Sequence, residues 1–118
     1  MLKAFEAYRS GNYAETITKA GAAFESVLKT ICTVRKWPHN PDKDTLTPLV
    51  NACKDGNLFP GFYVPVMTAT GTIRNKLADA HGRGPEVLYP ATKDYADHML
   101  QLVSTHINLL VKLAELPA

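Results

Sequence analysis

Cysteine is scarce in this 118-residue sequence, and its two copies, Cys32 and Cys53, stand 21 positions apart with no CxxC and no clustered histidine beside them. That pattern indicates neither a disulfide framework nor a zinc site and fits a reducing cytoplasm. No apolar stretch approaches the length of a membrane-spanning helix. The start, Met1-Leu2-Lys3 running into Glu6 and Arg9, lacks the apolar core of a leader, so neither secretion nor membrane insertion is expected from this segment. No alternating β pattern, internal repeat or low-complexity tract occurs. Charge of one sign is also missing: 13 Lys and Arg against 11 Asp and Glu leave a net +2. That is too little to coat nucleic acid by charge alone, although a local basic patch remains open. With 46% apolar and 20% charged residues, disorder is excluded. The length suits one domain, residues 1–118, around one core that needs no metal or disulfide staple. Because the chain opens almost inside a helix, the alternative is the C-terminal part of a longer protein.

What is present is helical. Leu2 to Arg9 reads as a short helix closed by Ser10-Gly11, and Asn12 with Glu15 three positions on resembles a capping box for a second helix. From Tyr13 to about Lys36, Ile17, Phe24, Leu28 and Ile31 share one face of a 3.6-residue repeat. Pro38 and Pro41 end it. Thr45 to about Lys54 forms a short third helix through Leu46, Leu49, Val50 and Cys53. Pro65 is placed to open a fourth, reaching Ala80 with Val66, Ala69, Ile73, Leu77 and Ala80 on one side. The last, Thr92 to Glu115, carries a wide apolar face of Tyr95, Met99, Leu102, Val103, Leu109, Leu110 and Leu113, and is expected to be the central packing element. The predicted fold is an all-α bundle of four main helices with short additions.

The chemistry concentrates between Thr70 and Gly84, where unusual residue types meet a glycine-rich basic loop. Arg74 and His81 are seven apart, so on a continuous helix both project from one face, roughly 10 Å apart. Arg can hold a phosphate by a bidentate pair and stabilise developing charge, while histidine can move a proton near neutrality. Without metal ligands, that pairing suits RNA cleavage by the neighbouring 2′-hydroxyl. A helix C-terminus at His81 would favour its protonated form. The same helix end repels phosphate, which Arg74, Lys76 and Arg83 would offset. The plainer alternative pairs Arg74 with a carboxylate and makes His81 a helix cap. Gly71 and Ala78, small residues flanking Arg74, are a local hint of a close interface.

The run from Ile73 to Gly84, IRNKLADAHGRG, followed by Tyr89-Pro90 and a long apolar helix, resembles the C-terminal domain family of abortive-infection phage-defence proteins, within the HEPN superfamily of all-helical domains. The stretch Ala14 to Ile31, AETITKAGAAFESVLKTI, resembles the first long helix of that family. Its motif is an Arg, a polar residue, then a His after four to six intervening residues, and Arg74, Asn75 and His81 match at the long end of that range. The resemblance implies a HEPN-like bundle and a metal-independent endoribonuclease, with no cofactor, whose two subunits bring both motifs to one cleft. Carried over by position, Arg74 stabilises the phosphate, Asn75 orients it and His81 serves in proton transfer. The alternative reading is a non-catalytic module that dimerises or docks an effector domain.

Beside these, Lys76, Arg83, Lys93 and Tyr89 are candidate RNA contacts. Glu25, at the edge of its helix's apolar face, either holds the Arg74 guanidinium or pairs with Lys29. His106 reads as a hydrogen-bonded core histidine and His98 as a surface partner of Asp94. Cys32 and Cys53 read as packing. Trp37, Phe59, Phe62 and Tyr63 read as aromatics buried against the bundle rather than base-stacking platforms. No metal ligand set stands at a recognised spacing. RNA, a second copy of the chain, and an antitoxin or upstream effector domain are the expected partners.

Overall fold

The computed structural model describes residues 1–78 and 89–116. Five helices occur among them: α1 Leu2–Arg9, α2 Tyr13–Arg35, α3 Leu46–Asp55, α4 Tyr63–Leu77 and α5 Lys93–Ala114. The fold is an all-helical bundle, and no strand occurs among the described residues.

Local chemistry sets the helix ends. Gly11, at φ +78°, turns the chain between α1 and α2 in a conformation that favours glycine. Asn12 then caps α2: its Oδ1 accepts from the Glu15 amide at 3.1 Å while its Nδ2 donates to Glu15 Oε2 at 2.9 Å. At the other end Lys36 is left-handed and the Trp37 amide donates to the Cys32 carbonyl. Trp37 packs over Gly56, where any Cβ would overlap its ring. Pro48 lies in the first turn of α3, where its missing N–H costs nothing.

α2 is the hub. It packs against α1, α3, α4 and α5, whereas α5 touches α1, α2 and α4 but not α3. The expectation that the last helix is the centre is therefore corrected. Ile17, Ala20, Phe24, Leu28, Ile31 and Cys32 of α2 are wholly buried. An apolar stripe this long can meet neighbours along its whole length, which the wider but partly exposed α5 face does not. Cys32 and Cys53 meet at 3.7 Å between Sγ atoms, joining α2 to α3 as buried thiols.

Two apolar faces also differ from their expected orientation. On α4 the buried residues are Met67 and Thr70, while Val66 and Ala69 face outward. On α5 the buried set is Ala96, Met99, Leu100, Val103, His106, Leu110 and Ala114, with Tyr95 and Leu113 exposed. Phe62 is exposed too, unlike Trp37 and Phe59, which pack on the core. The Tyr89 amide donates to the Lys76 carbonyl at one end, and the His106 side chain is hydrogen-bonded to the Val66 backbone farther along. These contacts set α4 and α5 antiparallel.

His106 lies buried against Phe24, ring centroids 5.6 Å apart, and its Nε2 has no partner among the described residues. Desolvation lowers its pKa, opposed only by the hydrogen bond with Val66. The unfolded chain therefore binds more protons here than the folded one as pH falls through the ordinary imidazole value of 6.5. His106 thus favours the folded state above that value and loses this contribution below it. Urea denaturation should show stability dropping as pH is lowered through 6.5. The drop should be smaller in His106→Met, and an equal drop in the variant would assign the effect elsewhere.

Candidate functional site

The site is built where α4 crosses α2. Residue 21 of α2 is glycine, unfavourable in a helix interior by about 1 kcal/mol relative to alanine. The absence of a side chain there makes room for an arginine: a Cβ at Gly21 would stand 3.0 Å from Arg74 Cδ and 3.5 Å from its Nε. One turn farther along α2, Glu25 Oε1 accepts from Arg74 Nη1 at 3.1 Å, with both side chains mostly buried. Glu25 turns to Arg74, and neither the Glu25–Lys29 nor the Asp94–His98 pair forms. Arg74 Nε is buried with no hydrogen-bond partner among the described residues. The stem of the arginine is thus trapped against α2, and its head is fixed by one carboxylate.

This guanidinium lines an open cleft of about 580 Å³ whose walls are Glu25 of α2, Thr45 to Thr47 around the start of α3, and Thr68, Gly71, Thr72, Arg74 and Asn75 of α4. Asn75 is exposed beside Arg74. Gly71 does not await another molecule: a Cβ there would lie 2.9 Å from Leu46 Cδ2, so the space is filled by α3 of the same chain. Ala78 packs on the core. The interface hint drawn from these two small residues is corrected accordingly.

Tyr89 is exposed next to the end of α4. Lys93 begins α5, its Nζ 6.0 Å from the centre of the Tyr8 ring. Tyr8 and Asp97 raise its pKa above the ordinary lysine value. Lys76 lies in the last turn of α4. His81 and Arg83 lie outside the described residues. α4 ends at Leu77, and Ala78 leaves the helical region at φ −129°. The one-face relation of Arg74 to His81, which needs a helix continuing to Ala80, therefore does not extend through the described chain.

The Abi_C family model, a HEPN-like domain, matches residues 1–114. The chain belongs to that family. No curated protein and no solved structure matches it. The matched span includes Arg74 and Asn75.

Four features of the cleft escape a reading of the sequence. Gly21 left a signal, an isolated glycine inside a long helix. Thr45 and Thr47 left none, because only packing brings them to Arg74, and Thr72, two positions before Arg74 on α4, carried no mark of its own. Gly21→Ala should shift the melting temperature by only a few degrees, since about 1 kcal/mol of helix propensity gained is set against a weakened Arg74–Glu25 pair. It should also displace Arg74 from Glu25, seen as a shifted Arg74 Nε–Hε resonance. A wild-type position for that resonance would show that the glycine does not set the arginine's place.

Proposed function

We propose that this HEPN-like domain binds RNA at the Arg74 cleft and cleaves it without a metal ion, acting in phage defence. The observation that carries the reading is the guanidinium pinned between Gly21 and Glu25 yet lining an open cleft. Preorganised charge of this kind stabilises a transition state without reorganising during the reaction. In the reaction, the 2′-oxygen bonds to the adjacent phosphorus as its proton passes to a base. The bond to the 5′-oxygen breaks, and that oxygen takes up a proton. The products are a 2′,3′-cyclic phosphate and a 5′-hydroxyl. Arg74 holds the phosphate, Asn75 orients it, and His81 serves in proton transfer. Lys76, Arg83, Lys93 and Tyr89 extend the contact along the strand, an assignment that predicts salt-sensitive binding.

The exposed apolar side of α4 and α5 supports a homodimer. Phe62 is 70% exposed, Val66 44%, Tyr95 48% and Leu113 40%, with Ala69 outward and Leu102 and Leu109 half-buried. The contact between Val66 and His106 puts the start of α4, which carries Phe62 and Val66, beside the second half of α5, which carries Leu109 and Leu113. Clustered apolar groups of this kind mark protein contacts more often than free surface. The same face supports the second reading, a non-catalytic module that dimerises or docks an effector domain or antitoxin.

The test of cleavage is incubation with a mixed RNA pool in excess EDTA. The wild type should leave 2′,3′-cyclic ends, and both Arg74→Ala and His81→Ala should lower the rate about 100-fold or more. Absence of cleavage, or cleavage that persists in both variants, would favour the docking module. For the interface, Phe62→Glu with Val66→Glu should yield a folded monomer by sedimentation. A wild-type protein that is already monomeric would remove the dimer.

A further inference from the structure

We infer that the cleft beside Arg74 is a subsite for one nucleotide, with the phosphate on Arg74 and the sugar held by the hydroxyls of Thr45, Thr47 and Thr72. This rests on the RNA reading above and adds to it a binding wall on α3, a helix without any residue of the Arg-and-His motif.

Three observations carry it. The first is size: about 580 Å³ lies within the range of small-ligand pockets and suits a single nucleotide. The second is chemistry. Thr68 Oγ1 is spent on the Val64 carbonyl, but Thr45, Thr47 and Thr72 are exposed and their hydroxyls bond to nothing among the described residues. Thr45 stands at the helix-capping position and yet makes no side-chain capping bond. Hydroxyls that both donate and accept match the hydroxyls and ring oxygen of a ribose. The third is electrostatic. Glu25 fixes Arg74 but also offsets its charge, so attraction between charges is weakened at this point. Affinity must then come in part from neutral hydrogen bonds, which the threonines lining the cleft on α4 and around the start of α3 can supply. Leu46, buried against Gly71, anchors the start of α3 to α4, so the two hydroxyl-bearing walls are held at a fixed separation.

The experiment titrates the protein with uridine 3′-monophosphate, inorganic phosphate and uridine, following amide shifts by NMR. The wild type should bind uridine 3′-monophosphate more tightly than inorganic phosphate. Thr47→Val and Thr72→Val, which exchange a hydroxyl for a methyl on exposed positions, should each weaken the nucleotide about fivefold and leave inorganic phosphate unchanged. Thr47→Ala provides a second variant, and melting curves confirm folding. Equal affinity for nucleotide and phosphate, no measurable nucleotide binding, or a preference that survives both valine variants would overturn the subsite. RNA cleavage that persists in those cases would leave the RNA reading standing. Phosphate binding unchanged in Arg74→Ala would instead remove the phosphate site and the subsite with it.

Discussion

The whole molecule is organised by the burial of α2. A helix of 23 residues whose Ile17, Ala20, Phe24, Leu28 and Ile31 are all without exposure must be met by other elements along its length, and α1, α3, α4 and α5 each meet it. Burying such side chains is the dominant favourable term in folding, so the positions of the other helices follow from where they can cover this stripe. α3, a short helix, gains its place by fitting Leu49, Val50 and Cys53 against that core.

The candidate site is a consequence of the same packing. Where α4 crosses α2, the interface needs a small residue, and Gly21 supplies it. The space is occupied by the stem of an arginine instead of an apolar chain, and the guanidinium is held by a carboxylate one turn along. Desolvating a charge is costly, and the Glu25 carboxylate offsets that cost for the partly buried Arg74. The arrangement leaves Nε without a partner among the described residues and Arg74 lining a cleft. Fold and site thus share one contact between helices.

The two faces that differ from the helical-periodicity reading are informative together. Val66 and Ala69 on α4, and Tyr95 and Leu113 on α5, continue the apolar pattern of their helices but are not covered by the described residues. Periodicity reports which residues prefer to leave water, not which neighbour covers them. In α4 the true inward line runs through Met67 and Thr70, and a buried threonine there, bonded to the Met67 carbonyl, gave no apolar signal. His106 shows the reverse: its place in the apolar stripe marked it as interior, but the unpartnered Nε2 was not legible.

The sequence by itself determined the five helices, because capping residues, prolines and 3.6-residue periodicity act over a few neighbouring positions and need no distant partner. It also marked Arg74 and Asn75 through their motif, and the family of the chain. Only the tertiary structure decided that α2 rather than α5 is the centre, that Glu25 turns to Arg74 and away from Lys29, and that threonines of α3 share a cleft with α4. The reason is physical: Glu25 and Arg74 are 49 positions apart, and which of several possible partners a side chain takes depends on how helices cross. That crossing is fixed by shape and burial summed over the whole core, and no local pattern encodes it.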